Sequence, residues 1–286
     1  MAFFGIFVPI FIRSLKDTPI WILISQDRSR SSTAAKGCIS MPQPNSLPLA
    51  GQVIVIVGAS SGMGRATALA AAAQGAQLIL AARNGIALDE LCGQIKSTGG
   101  TATAIPADAT KREDIERLIT TTMEAHGRID ALINSVGTNL PRRTIAELTD
   151  ASWQRVLDIN LTSAFHITQA SVPVFRQQKE GLLIHIASSA ARKPDRSGIA
   201  YQATKAGVAA LAHGAMEEER ENGLRVTVIY PGMTDTPLVY QRPTPPTPDM
   251  LAKALQPEDV AAACLFVLAL PPRAHVPELV LYPSRS

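Results

Sequence analysis

Apolar and polar positions follow a regular pattern from about residue 50 to the end of the chain. Short continuous apolar runs alternate with longer segments in which apolar residues recur every three to four positions, and these patterns indicate strands and helices, respectively. The run VIVIV at 53–57 has no polar alternation, so both of its faces are expected to be buried, as in parallel strands. The pattern predicts an α/β fold, a doubly wound parallel sheet of about seven strands with helices on both faces.

The predicted elements continue to the C-terminal residue without a linker or a change in composition, so one domain over residues 49–286 is the simplest interpretation. The predicted strands are 53–57, 77–81, 101–105, 131–134, 182–187, 224–230 and 278–281. The predicted helices are 62–74, 86–97, 111–126, 152–178, 200–221 and 257–269.

Two long connections, 141–150 and 232–256, separate strands from the helices that follow them. Both are expected at the carboxyl edge of the sheet, where open α/β sheets bind their ligands. The second contains the proline-rich stretch QRPTPPTPD, which is either a stiffened lid over a site or a plain surface loop.

Residues 1–48 have a different composition from the rest of the chain. Their two apolar runs, 2–12 and 19–24, are separated by charged residues and are shorter than the ~18 apolar residues of a membrane-spanning helix. A basic start and a cleavage site typical of signal peptides are lacking. We expect a disordered or dispensable extension, with Met41 as a plausible start of the protein by itself. A membrane-surface segment and a targeting segment are the alternatives.

The amino-acid composition excludes several classes of protein. The 286 residues are 46% hydrophobic and 18% charged, which excludes disorder over most of the length. The net charge of +3 includes no basic block, which argues against a nucleic-acid partner. Three scattered cysteines without a CxxC pair favour neither disulfides nor zinc, and the histidines have no metal-ligand spacing. We therefore expect a cytoplasmic protein without a metal site or stable membrane insertion.

The first predicted strand leads into Gly58-Ala-Ser60-Ser61-Gly62-Met63-Gly64, which opens an alanine-rich helix. Glycines let the backbone turn tightly and approach a pyrophosphate, and a helix N-terminus supplies N–H groups and a positive dipole. The GxxxGxG spacing differs from the GxGxxG fingerprint. The strand–glycine–helix context predicts a nucleotide site, whereas the alternative is a tight turn without a ligand.

Arg83 stands at the end of the second predicted strand, about 20 residues beyond the glycines. An Asp or Glu at this point would bind the ribose hydroxyls of NAD, whereas a guanidinium suits the 2′-phosphate of NADP. The position therefore favours NADP. The alternative is an exposed arginine at a helix start.

Tyr201 and Lys205 lie four positions apart in a predicted helix and so share one face. A phenol with its ordinary pKa of about 10 is a poor acid or base at neutral pH, and a neighbouring ammonium lowers that pKa. The pair is thus a candidate general acid/base, or alternatively a surface tyrosine stacked over a lysine stem.

Two more polar residues fall where a site is expected. Ser188 follows the apolar strand LLIHIA, where its hydroxyl can donate to a substrate oxygen or merely cap a helix. Asn160 lies on the apolar stripe of a predicted helix, as either a structural hydrogen-bonding residue or part of a proton path.

Taken in this order, the motifs make the chain resemble a short-chain dehydrogenase/reductase, a single-domain NAD(P)-binding enzyme with a Rossmann-like sheet, over essentially all of residues 49–286. The resemblance rests on Gly58, Gly62 and Gly64, on Asp108, on Asn134-Ser-Val-Gly137, on Asn160, on Ser188, on Tyr201 and Lys205, and on Pro231-Gly232 with Thr236. The chain departs from the family pattern in having Asn-Ser-Val-Gly for Asn-Asn-Ala-Gly and His185 for an Asn. We expect His185 to be a hydrogen-bonded core histidine.

The resemblance implies that Ser188, Tyr201 and Lys205, assisted by Asn160, catalyse hydride transfer between NADP(H) and a carbonyl or secondary alcohol. Lys205 would bind the nicotinamide ribose and lower the pKa of Tyr201. The implied cofactor-binding residues are Gly58, Ser60, Ser61, Gly62, Met63 and Gly64 in the glycine loop, Asp108 at the adenine, Asn134 beside the cofactor, Tyr201 and Lys205, and Pro231, Gly232 and Thr236 toward the nicotinamide, with Arg83 at the 2′-phosphate.

The substrate is less defined than the chemistry. The tail PPRAHVPELVLYP resembles NADP-dependent 3-hydroxy acid dehydrogenases of the family, so the expected partner is a small hydroxy acid or ketone. Alternatives are a reductase of acyl-carrier-bound ketones or activated double bonds, and a non-catalytic NADP-binding regulatory protein. The family also implies a homodimer or homotetramer.

Overall fold

The computed structural model describes residues 47–285, so most of the expected N-terminal extension lies outside the described residues. Its strands are β1 (Val53–Val57), β2 (Gln77–Ala82), β3 (Thr101–Pro106), β4 (Ala131–Asn134), β5 (Gly181–Ile186), β6 (Leu224–Pro231) and β7 (Glu278–Leu281). Its α-helices are α1 (Gly62–Ala73), α2 (Gly85–Ser97), α3 (Arg112–His126), α4 (Asp150–Leu157), α5 (Ser163–Gln178), α6 (Ile199–Glu219), α7 (Pro248–Lys253) and α8 (Pro257–Leu268).

The strands form one sheet of seven in the order β3-β2-β1-β4-β5-β6-β7, and every pair is parallel. The fold is the Rossmann-like α/β sheet that the sequence pattern predicts. Because the chain order reverses between β1 and β4, a crevice opens there beyond the carboxyl ends of the strands. The glycine loop after β1 and the segment after β4 meet at this crevice.

Two apolar layers cover the sheet. Ile54 and Ile56 of β1 belong to the layer that also contains buried residues of α1, α2 and α8. Val53, Val55 and Val57 belong to the opposite layer, with α3, α5 and α6. Alternate residues of one apolar strand thus enter different layers, which is why VIVIV has no polar positions.

The predicted helix 152–178 is wrong as a single α-helix. A π-helical turn over Asp158–Thr162 separates α4 from α5, and Asn160 lies within it. π-turns insert into α-helices frequently at functional sites, and a continuous apolar stripe does not reveal them. The sequence analysis also missed α7 inside the connection 232–256, where Thr247 caps the helix by accepting a hydrogen bond from the N–H of Met250 at 3.3 Å.

Two features are absent from residues 47–285. These residues contain no helix that is both long enough and apolar enough to cross a membrane. The same residues bring no three His, Cys, Asp or Glu side chains into a group that could hold a metal ion.

Candidate active site

Two cavities open at the carboxyl edge of the sheet. The first, about 140 Å³, has Ser188 and Tyr201 in its wall together with Met63, Pro231, Gly232 and Thr236. The second, about 310 Å³, is lined by Gly58, Ser60, Ser61, Arg83 and Asp108, among others. The structure therefore brings the predicted catalytic hydroxyls to one cavity and much of the predicted adenosine side of the cofactor site to the other.

The glycine loop leaves no room for side chains at two positions. A Cβ on Gly58, whose φ is +87°, would lie 2.8 Å from the carbonyl carbon of Ser135. A Cβ on Gly64 would lie 2.3 Å from the carbonyl oxygen of Gly58. The loop thus packs backbone against backbone between β1 and the segment after β4, and this close packing requires glycine.

The N-terminus of α1 is open to an anion. The N-cap residue Ser61 makes no capping hydrogen bond with its side chain, and the first turn contains no acidic residue. The N–H groups of the first turn and the positive end of the helix dipole are therefore free of a competing carboxylate. This arrangement fits the pyrophosphate of a dinucleotide.

Arg83 and Asp108 lie in the wall of the second cavity. Arg83 is exposed and has no carboxylate within 4.0 Å among residues 47–285. The Asp108 carboxylate accepts hydrogen bonds from the N–H and hydroxyl of Thr110, at 3.0 and 2.8 Å, which fixes its orientation. A fixed carboxylate and an uncommitted guanidinium fit an adenosine that carries a 2′-phosphate.

Tyr201 lies in the first turn of α6, and Ser188 follows β5. The Ser188 hydroxyl accepts a hydrogen bond from the N–H of Ala190 at 3.2 Å. Tyr201 is only partly covered, yet desolvation raises its pKa above the ordinary value, and a hydrogen bond with Ser188 opposes that rise. A tyrosine with a raised pKa is protonated at neutral pH and can donate a proton.

Lys205 lies one turn further along α6 and is 4% exposed. Its Nζ donates to the carbonyl of Ile186 at 3.0 Å and lies 6.0 Å from the centroid of the Tyr201 ring. Burial lowers the pKa of Lys205 to about 8. Desolvation is the largest influence on the Tyr201 pKa, and the lowering of that pKa by Lys205 stays a prediction.

Asn160, in the π-turn, is completely buried and fully hydrogen-bonded. Its Nδ2 donates to the carbonyl of Thr138 and to the hydroxyl of Thr204, both at 3.0 Å, and its Oδ1 accepts from the N–H of Thr138 at 2.7 Å. The side chain thus ties the segment after β4 to α6 beside Lys205. Both of the roles weighed for Asn160 from the sequence are compatible with this position.

The remaining predicted site residues lie at the same edge. Asn134 ends β4 and holds the next turn by accepting a hydrogen bond from the N–H of Val136 at 3.0 Å. The N–H of Gly232 donates to Leu281 at 2.7 Å, which joins the end of β6 to β7. Thr236 is buried, and its side chain packs against Gly62 of the glycine loop.

Four polar residues in the wall of the first cavity were not predicted from the sequence. Arg143 and Asn139 come from the connection after β4, Asp195 from the segment before α6, and Arg242 from the connection after β6. The two long connections were expected at this edge, and the pair Arg142-Arg143 was a visible signal. Which of two adjacent arginines points inward depends on loop geometry that a sequence does not reveal.

The family of the chain follows from its match to a family model described as short chain dehydrogenase, which covers residues 52–245. The chain belongs to this family. An uncharacterized oxidoreductase of Staphylococcus aureus (strain USA300) is 33% identical over 236 residues, which are 82% of this chain and 98% of the relative. A relative from Staphylococcus epidermidis (strain ATCC 35984) is 32% identical over 81% of this chain and 97% of its own.

Solved structures with the same fold include cofactor complexes. A metagenomic short-chain oxidoreductase in complex with NADP has 28% sequence identity and a TM-score of 0.73, over 84% of this chain and 100% of its own. An alcohol dehydrogenase from the archaeon Thermococcus sibiricus, complexed with 5-hydroxy-NADP, has 26% identity and a TM-score of 0.74, over 82% and 97%. The chain is therefore an oxidoreductase of the short-chain dehydrogenase family.

Proposed function

We propose that the protein is an NADP(H)-dependent oxidoreductase that interconverts a carbonyl and a secondary alcohol of a small molecule. The observation that carries the proposal is that Ser188 and Tyr201 line one cavity, with Lys205 one helical turn beyond Tyr201. The adjoining cavity contains the glycine loop and Arg83, which fit a dinucleotide with a 2′-phosphate. The two NADP-type complexes among the solved structures of similar fold also support this cofactor.

The residues proposed to hold NADP have distinct tasks. The open N-terminus of α1 would receive the pyrophosphate, Arg83 the 2′-phosphate and Asp108 the adenine side. Met63, Pro231, Gly232 and Thr236 line the cavity that contains Tyr201, so they would border the nicotinamide. When bound, the cofactor supplies or accepts the hydride.

Tyr201 would handle the proton. In reduction, its protonated hydroxyl donates to the carbonyl oxygen while Ser188 holds that oxygen by a second hydrogen bond. The raised pKa of Tyr201 keeps the proton in place at neutral pH. Alcohol oxidation requires the reverse transfer, so a positive group near the phenolate, such as the nearby Lys205, would assist it.

Lys205 and Asn160 would support Tyr201 through hydrogen bonds to backbone groups. The Lys205 ammonium donates to the carbonyl of Ile186, and Asn160 accepts from the N–H of Thr138 and donates to its carbonyl. We assign Lys205 to the nicotinamide ribose and to proton transfer, and Asn160 to positioning of the segment after β4. A homo-oligomeric, cytoplasmic enzyme remains our prediction for the assembled protein.

The test is a cofactor-matched activity screen. Purified protein is assayed for NADPH and NADH consumption with small ketones, and for NADP and NAD reduction with 3-hydroxy acids and small alcohols. We expect turnover with NADP(H) and much less with NAD(H). A protein that binds NADP but turns over no carbonyl or alcohol would support the regulatory alternative instead.

A further inference from the structure

We propose that the substrate carries a carboxylate and that Arg143 binds it in the cavity beside Tyr201. The proposal rests on the proposed function, because it names the class of small molecule that the same site accepts. Arg143 lies between β4 and α4 and belongs to the wall of the cavity that contains Ser188 and Tyr201. The position of Arg143 therefore favours acidic substrates over neutral ones.

The guanidinium of Arg143 is buried without an anionic partner. The residue is 7% exposed, and no carboxylate of residues 47–285 lies within 4.0 Å of it. Its one hydrogen bond is a long one of 3.4 Å to the carbonyl of Ser197, and its Nε has no partner within the described part of the chain. A buried charge is costly unless it is paired, so this position indicates a missing counter-ion.

The surrounding chain holds Arg143 in this position. Gly198, with φ of +97°, lies against the arginine stem, because a Cβ there would come within 2.8 Å of the Arg143 Cβ. The carbonyl of Ser197 also accepts a hydrogen bond from Asn139 Nδ2 at 2.9 Å. The side chain therefore occupies a fitted groove beside the first turn of α6, which begins at Ile199 and contains Tyr201.

Other groups in the cavity wall strengthen the case for an anion. Arg242 also lines the cavity and forms no ion pair within residues 47–285. Burial lowers the pKa of Arg143 most, and the positive charge of Arg242 lowers it further. Asp195 is the opposing acid in the wall and acts to raise the pKa of Arg143, but burial and Arg242 outweigh it and it forms no ion pair with Arg143 within 4.0 Å. The Ser197 hydroxyl is a further buried polar group without a partner among the described residues.

Size and geometry define the ligand class. The cavity of about 140 Å³ is well below the roughly 300–1,000 Å³ of sites for drug-sized ligands, and residues proposed to border the nicotinamide also line it, so only a short substrate fits beside the cofactor. A guanidinium binds a carboxylate through two parallel hydrogen bonds and thereby orients it. The molecule must place its reacting oxygen at Ser188 and Tyr201 and its carboxylate at Arg143, which describes a short hydroxy acid or the corresponding oxo acid.

The experiment compares acids with neutral partners of the same skeleton. Hydroxy acids of four to six carbons and their methyl esters are oxidised with NADP, and kcat/KM is measured for both. The wild-type protein is compared with Arg143→Gln and with Arg142→Gln, an exposed arginine next in sequence that serves as the matched control. The NADP dissociation constant and the melting temperature are measured for each protein.

We expect the wild type to prefer the acid over its ester. Arg143→Gln should lower kcat/KM for the acid by about 10- to 100-fold, the usual loss for a charge-assisted contact, and leave the ester within about twofold. NADP affinity should not change, and Arg142→Gln should behave as the wild type. If Arg143→Gln does not fold, Arg143→Lys, which keeps the charge but not the two-pronged geometry, should show a smaller loss confined to the acids.

Five results would overturn the assignment. Equal turnover of acids and esters by the wild type, or an equal loss for both in Arg143→Gln, would show that Arg143 does not bind a carboxylate. Weaker NADP binding in Arg143→Gln with an unchanged acid-to-ester ratio would place Arg143 at the cofactor. Turnover of neutral ketones without turnover of acids would reject this inference but keep the proposed function, whereas no turnover of any carbonyl or alcohol would reject both.

Discussion

The side-chain amide of Asn134 lies 3.1 Å from the imidazole Nδ1 of His185, across the adjacent strands β4 and β5. The other ring nitrogen, Nε2, lies 3.1 Å from the hydroxyl of Thr168, which itself donates to the carbonyl of Ala164. The ring therefore accepts from Asn134 and donates to Thr168, as a neutral imidazole does. His185 is completely buried, and it supports Asn134 at the edge of the site, in agreement with its interpretation as a core histidine.

This arrangement predicts acid sensitivity. Burial lowers the pKa of His185 to about 3, whereas the unfolded chain takes up this proton near pH 6.5. Because the unfolded state binds more protons between these values, stability falls as the pH drops below about 6.5. His185 should account for about 2 kcal/mol of lost unfolding free energy between pH 6.5 and 5, from about 1.4 kcal/mol per pH unit.

Urea unfolding at pH 7 and pH 5 measures this difference. His185→Gln should lose less stability on acidification than the wild type, and it should start from a lower stability at pH 7 because its hydrogen bonds are altered. His126→Gln, near the C-terminus of α3, is the control and should follow the wild type. An equal loss in His185→Gln and the wild type would show that this imidazole does not titrate as described.

The proposed function predicts that the choice between NADP and NAD depends on Arg83. Arg83→Ala removes a charge-assisted contact to the 2′-phosphate worth roughly 1.5–3 kcal/mol, so NADP should bind about 10- to 100-fold more weakly. NAD lacks that phosphate and should be almost unaffected. Lys96→Ala, which removes a positive charge at the far end of α2, is the matched control for titrations with both cofactors. Equal weakening of both cofactors, or of neither, would make Arg83 an ordinary surface residue.

The glycine loop is tested by two alanine substitutions in helices. Gly64→Ala places a Cβ within 2.3 Å of the Gly58 carbonyl oxygen, so the loop must shift, with a loss of NADP affinity and of about 1–3 kcal/mol of stability. Gly93→Ala meets no atom within 4 Å in α2 and should stabilise the protein by up to about 1 kcal/mol. Calorimetry and NADP titration of both variants provide the comparison, and an unchanged cofactor affinity in Gly64→Ala would contradict this account of the loop.

The fold could be predicted closely because its signal is carried by apolar spacing alone. All seven strands were predicted, with ends within one residue of the structure, since VIVIV and its counterparts must bury both faces. The π-turn at Asp158–Thr162 was not predicted, because one extra residue in a helical turn hardly alters the apolar stripe. α7 was not predicted, because its six residues lie in a proline-rich connection, where a turn and a short helix have similar sequences.

In the candidate site, too, some residues could be predicted from the sequence and others could not. Tyr201 and Lys205 were predicted as a pair because they share one helix at a fixed spacing, and Ser188 because it follows an apolar strand. Only the family resemblance joined the three residues into one site. Arg143 and Arg242 were missed because they belong to connections, whose path depends on tertiary contacts such as that between Gly198 and the Arg143 stem. The desolvation that raises the pKa of Tyr201 could not be predicted, since burial is a property of the whole fold and not of the Tyr-x-x-x-Lys spacing.

The most direct test of the proposed mechanism is the turnover of Tyr201→Phe with NADPH and the best ketone from the screen. The substitution keeps the ring and removes its titratable oxygen, with Tyr282→Phe, an exposed tyrosine, as the control. We predict a loss of at least about a hundredfold in kcat, the lower range for a positioned general acid, with NADP binding and melting temperature retained. A folded Tyr201→Phe protein that keeps more than half of the wild-type turnover would remove Tyr201 from the mechanism.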